Sequence, residues 1–95
     1  MGEARAEFEW DEDKRRSNIA KHGIDFVRAR AVFDGRPLAH IPSPVPHEAR
    51  TMTIAILDDV HVAAVWTERD GKRRFIAVRR ASRSERTLYQ ALTQP

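Results

Sequence analysis

The sequence predicts an α+β domain: an antiparallel sheet of about four strands, two N-terminal helices and one C-terminal helix. Three features lead there. The first third of the chain spaces apolar residues helically between capping residues, and the middle holds three alternating runs joined by short turn signals. Ser82-Arg83-Ser84-Glu85 then opens a last helix. Helices followed by a strand meander and a helix place the helices on one side of the sheet.

Phe8-Glu9-Trp10 alternates and predicts a short first strand. Either Asp11 or Asp13 can cap the helix that follows, which runs to His22. Gly23 is suited to a left-handed C-terminal cap, with Lys21 and His22 in the last turn. Asp25 caps a second helix along the stripe Phe26, Ala29, Val32 and Phe33, and Asp34-Gly35-Arg36-Pro37 ends it. A brief strand over Leu38 to Ile41 precedes an extended loop marked by Pro42, Pro44 and Pro46.

From Thr51 to Leu57, Met52, Ile54 and Ile56 alternate with Thr51, Thr53 and Ala55. One face is read as core and the other as small and largely polar. Asp58-Asp59 makes a tight turn, His61 to Glu68 a strand, Arg69-Asp70-Gly71-Lys72 a hairpin loop, and Arg73 to Arg80 a strand. The capping box at Ser82 and Glu85 starts a helix to about Leu92, with Leu88, Ala91 and Leu92 expected inward.

At 95 residues the chain suits one domain, 1–95, with its core over about 8–92. It has no cysteine, which suits a reducing cytoplasmic setting without disulfide or thiolate metal site. Residues 1–6 contain no apolar signal core, and no apolar run is long enough to span a membrane. The net charge of +3 is unevenly spread: residues 67–95 hold eight arginines and lysines against three carboxylates, Glu68, Asp70 and Glu85. Such a basic segment, mostly arginine, fits a polyanion, RNA or DNA; a solvated basic face is the alternative.

Lys14, Asn18, Lys21 and His22 share one side of the first helix, as a cationic stripe or an ordinary wet face. In the last strand, strict alternation puts Arg74, Ile76, Val78 and Arg80 on one face and Phe75, Ala77 and Arg79 on the other. Arginine near a core needs an anion or a partner, and Glu68 and Glu85 are the partners at hand. Arg86 and Tyr89 meet on the last helix, where the phenol could move a proton, stack on a base, or simply edge the core. His22, His40, His47 and His61 show no metal-ligand spacing, and no phosphate loop or nucleophile elbow occurs, so no metal or cofactor is expected.

Trp10-Asp11, Lys14, Asn18, Lys21-His22-Gly23-Ile24-Asp25-Phe26 and Ala31-Val32-Phe33 form an early group of motifs. Thr67-Glu68-Arg69, Arg74 to Ser82, and Glu85-Arg86 with Tyr89 form a late one. Together, over about residues 8 to 92, they resemble the BrnT toxin family; Ala77 stands where that family usually has serine. The resemblance implies a type II toxin with a RelE-like ribonuclease fold that cleaves RNA and stops translation. It further implies a BrnA-like ribbon-helix-helix antitoxin as partner, promoter DNA bound only through that antitoxin, and no membrane.

Metal-independent RNA cleavage by the 2′-hydroxyl needs a base, cations around the phosphorane and an acid for the leaving 5′-oxygen. On this basis Arg79, Arg80 and Arg74 are expected to hold the phosphate, with Lys14, Lys21 and Arg86 extending the cationic surface. His22, Glu68 or Tyr89 is expected to move protons, His22 first by residue type. The alternative is a noncatalytic nucleic-acid-binding or protein-interaction module. The enzyme requires these cations to converge on one concave surface.

Overall fold

The computed structural model describes residues 7–42, 46 and 49–94; residues 1–6, most of the proline loop and Pro95 lie outside them. The elements are β1 (Glu7–Glu9), α1 (Glu12–His22), α2 (Phe26–Ala29) with a 3-10 turn (Arg30–Phe33), β2 (Leu38–Pro42), β3 (Arg50–Leu57), β4 (Val60–Arg69), β5 (Lys72–Arg80) and α3 (Arg83–Thr93). One five-stranded sheet runs β1-β5-β4-β3-β2. It is mixed, because β1 lies parallel to β5 while the other pairs are antiparallel. Charge supports that added strand: Glu7 faces Lys72 at 3.8 Å and Glu9 faces Arg74 at 3.3 Å.

Local chemistry sets the element ends. Asp11, rather than Asp13, caps α1 by accepting from the backbone N–H of Asp13 at 2.8 Å and of Lys14 at 3.3 Å. Gly23 closes the helix at φ 71°. The predicted second helix divides into one α-turn and a 3-10 turn. Phe26, Ala29 and Val32 recur every three residues, a period that tight 3-10 winding keeps on one face, and all three are fully buried. The β3–β4 and β4–β5 hairpins each turn through two left-handed residues, Asp58-Asp59 and Asp70-Gly71.

Helices cover both faces of the sheet, not one. Phe26, Ala29, Val32, Ala55, Leu57 and Phe75 belong to a core beneath the N-terminal helices. A smaller cluster, Ala39, Ile54, Ala63, Ala81 and Tyr89, lies under α3. The centre of β3 is therefore buried on both sides: Thr53 and Ala55 face the N-terminal helices, Ile54 faces α3, and the expected core residue Ile56 is 38% exposed. The expected inward side of α3 also fails, since Leu88 and Leu92 are exposed. Glu85 and Tyr89, four residues apart, turn inward instead, held by Arg79 and by a hydrogen bond from the Tyr89 hydroxyl to the Pro37 carbonyl at 3.2 Å.

A bulge in β5 decides where its arginines point. Val65 pairs with Ala77 and Trp66 with Phe75, so Ile76 is an extra residue that resets the alternation. Phe75 and Val78 thus share the larger core, contrary to strict alternation. Arg80 follows Val78 to that side, and Arg79 goes to the α3 side.

Candidate active site

β5 loses its outer partner beyond Arg74, because β1 stops at Glu9. Asn18 takes over that edge. Its amide nitrogen donates to the Val78 carbonyl at 2.8 Å and the Ile24 carbonyl at 2.9 Å, and its oxygen accepts from the Val78 N–H at 3.0 Å. This buried amide fastens the middle of α1 to the sheet edge and leaves Asn18 out of any wet stripe. Asparagine inside a helix is intrinsically unfavourable, a sign in the sequence that its side chain bonds outside the helix.

With α1 fastened there, Lys14, Lys21 and His22 border β5 and line a cleft of about 180 Å³ that reaches Ile76 and Ala77. His22 also belongs to an adjoining cleft of about 320 Å³ with Arg80, Arg28, Asp25 and Asp58 on its walls and Leu57, Val60 and Val62 among its apolar lining. The carboxylates of the second cleft are already engaged. Asp25 takes the Arg15 guanidinium at 3.1 Å and caps α2. Asp58 is ion-paired with Arg28, whose hydrogen bond holds the carboxyl below its usual range. Among the described residues, Lys14, Lys21, His22 and Arg80 meet no carboxylate at ion-pair distance. The two clefts meet at His22, and between them they hold four cationic or proton-carrying groups that no carboxylate among the described residues engages. A more open depression of about 640 Å³ beside Phe8 and Val27 contains Asp25 and Arg28, both already paired.

The other expected site residues do not join them. Arg79 gives both terminal nitrogens to Glu85, at 2.7 and 2.9 Å, and that guanidinium holds the Glu85 carboxyl at about 2. Arg74 is paired with Glu9 at 3.3 Å. Tyr89 is 7% exposed beneath α3, its hydroxyl bonded to Pro37. Arg86 is exposed on α3 and donates to the Ala81 carbonyl at 3.2 Å. Glu68 sits near the β4–β5 hairpin in register with Arg73, roughly 20 Å along the sheet from Arg80. The single concave surface expected from the sequence thus shrinks to Lys14, Lys21, His22 and Arg80. The bulge at Ile76 and the carboxylates Glu9 and Glu85 account for the arginines lost from it.

Comparison with known families bears on the chemistry of this site. A family described as "Ribonuclease toxin, BrnT, of type II toxin-antitoxin system" matches residues 10–85. The chain belongs to the BrnT family. No curated protein matches it. The matched span contains all four cleft residues as well as the Arg79–Glu85 pair, and it stops short of Arg86 and Tyr89. BrnT membership makes the chain a ribonuclease toxin of a type II toxin–antitoxin pair, with RNA as its target and an antitoxin as its partner. Among the described residues, no helix is long and apolar enough to cross a membrane, and no three His, Asp or Glu side chains gather to hold a metal.

Proposed function

We propose that this BrnT-family chain is a metal-independent endoribonuclease that cuts RNA at the paired clefts of α1 and β5. In the cytoplasm that activity would stop translation until a BrnA-like ribbon-helix-helix antitoxin covers the same basic surface, with promoter DNA bound through the antitoxin alone. The observation that carries this is the set of four groups from two separate chain segments, Lys14, Lys21, His22 and Arg80, that border two clefts joined at His22 without carboxylate partners among the described residues.

Arg80 presents a planar fork suited to two phosphate oxygens, and Lys14 and Lys21 add charge toward the neighbouring phosphates. The RNA 2′-oxygen attacks phosphorus as its proton passes to a base; the 2′-oxygen–phosphorus bond forms and the bond to the 5′-oxygen breaks. That oxygen leaves with a proton, giving a 2′,3′-cyclic phosphate and a 5′-hydroxyl. His22 is the group at the cleft whose residue type exchanges protons near neutral pH, and it is assigned that proton traffic. Arg79 and Tyr89 act as positioning residues for α3, and Glu68 lies outside the reaction.

Incubating the purified protein with RNA in excess EDTA and mapping the product ends tests this. Cyclic phosphate and 5′-hydroxyl termini are expected, at unchanged rate as EDTA rises. Retention of intact RNA would instead favour a noncatalytic binding module, and 5′-phosphate ends would rule out 2′-hydroxyl attack.

A further inference from the structure

A second group of residues, unconnected with that cleft, lies where β5, β4, β3 and β2 pass beneath the 3-10 turn. The Arg73 guanidinium carbon stands 4.1 Å from the centre of the Phe33 ring and 5.0 Å from that of Trp66. Among the described residues no hydrogen-bond acceptor or carboxylate engages it, and none of its nitrogens is sealed from solvent. Burial pulls this guanidinium below the usual arginine range, and Glu68, its partner across the strand pair, forms no ion pair with it.

His40 stands beside the same two rings, with centroids 6.3 Å from Phe33 and 6.0 Å from Trp66. Its protonation follows from Thr53, whose side chain is fully buried. The Thr53 hydroxyl oxygen accepts the Trp66 indole N–H at 2.7 Å and lies 2.7 Å from His40 Nδ1. Nδ1 is the acceptor within reach for the hydroxyl's own proton, so a satisfied Thr53 requires Nδ1 unprotonated. Neutral His40 then carries its proton on Nε2, which is left to donate elsewhere. Burial and the nearby Arg73 charge push the imidazole in the same direction.

We propose that Arg73 and His40, mounted on Phe33 and Trp66, form a second phosphate-binding site for RNA, remote from the cleavage cleft. The guanidinium edge and the Nε2–H supply donors for phosphate oxygens, and the half-buried rings offer a flanking base a surface for stacking. An acidic peptide would use the same donors but has no need of the aromatic surface, which favours RNA. The site rests on the assignment of RNA as substrate and increases grip on longer strands without taking part in bond breaking.

The test is fluorescence anisotropy of the whole protein with a 2′-O-methylated oligoribonucleotide, which 2′-hydroxyl attack cannot cut. Arg73→Met, which keeps an apolar stem over the rings, is expected to weaken binding roughly tenfold and lower the salt slope by about 0.7. Arg73→Lys should restore the slope but only part of the affinity, because the planar fork is lost. Cleavage of a dinucleotide, too short to reach both sites, should be unchanged in both variants, with folding checked by thermal unfolding. Wild-type affinity and slope in a folded Arg73→Met protein, while Arg80→Ala still weakens binding, would overturn this site alone. A wild type that binds no oligonucleotide would overturn the RNA assignment and this site together. Loss of antitoxin affinity in Arg73→Met with RNA binding intact would assign the site to an acidic partner and overturn it for RNA.

Discussion

Arg79 turns toward α3 and gives both terminal nitrogens to Glu85, whereas Arg80, the next residue, turns toward the N-terminal helices and meets no carboxylate among the described residues. The two share composition, neighbourhood and strand, and they differ in what the opposite face supplies. Under α3 an acid completes the pair and fixes the helix; beside α1 the nearby acids belong to Arg15 and Arg28. The difference teaches that a basic segment is not itself a site. What makes one is cations whose anions have been claimed by others, leaving them to answer to a phosphate.

Several substitutions would break or sharpen that contrast. The largest effect is expected on the cleft side: His22→Ala should lower RNA cleavage a hundredfold or more, as loss of general acid–base catalysis does, with the melting temperature little moved. Asn18→Ala should act oppositely. It orphans the Val78 N–H and carbonyl at the sheet edge and should cost about 3 kcal/mol of stability in denaturant unfolding. On the α3 side, Arg79→Ala leaves Glu85 half-buried without its main partner, at a cost of roughly 2 kcal/mol.

That pair also has a pH signature. The Arg79 guanidinium holds the Glu85 carboxyl at about 2 in the folded protein, well below the ordinary carboxylate value of about 4.5, so its contribution is complete above the unfolded value. It is lost as pH falls from about 4.5 toward 2. Melting temperature followed over that range should drop more steeply in the wild type than in Glu85→Gln. Smallest are the changes on α3 itself: Tyr89→Phe should cost about 1 kcal/mol by removing the bond to Pro37. Leu92→Ser, at an exposed position, should stay within about 0.5 kcal/mol. A larger penalty for Leu92 than for Tyr89 would mean that α3 packs through its leucines after all.

Much of the fold was legible because caps and turns are local. Asp11, Gly23, Asp70-Gly71 and the Ser82–Glu85 box each fix their element through contacts a few residues away. What could not be read was non-local. β1 pairs with a strand more than sixty residues downstream, and α3 crosses to the second face because Tyr89 finds Pro37 and His61 there. The extra residue at Ile76 is invisible in an alternating pattern, yet it brings Phe75 and Val78, assigned to opposite faces, onto the same one. The candidate site followed suit: His22, Lys14 and Lys21 were placed together by helix spacing, and alternation put Arg79 and Arg80 on opposite faces, while which of the two is paired depended on where Glu85 comes to rest. Arg73 escaped notice because its partners, Phe33 and Trp66, lie on separate elements.

The most direct test compares the two neighbouring arginines as single substitutions. Cleavage of one RNA is measured as kcat/KM per folded molecule for Arg79→Ala and Arg80→Ala beside the wild type. Arg80→Ala should fall a hundredfold or more, equivalent to about 3–4 kcal/mol of lost transition-state stabilisation, while Arg79→Ala keeps nearly the full rate despite its lower melting temperature. An Arg80→Ala protein that cuts at the wild-type rate, or a folded Arg79→Ala protein that does not cut, would contradict the placement of the reaction at the α1–β5 cleft.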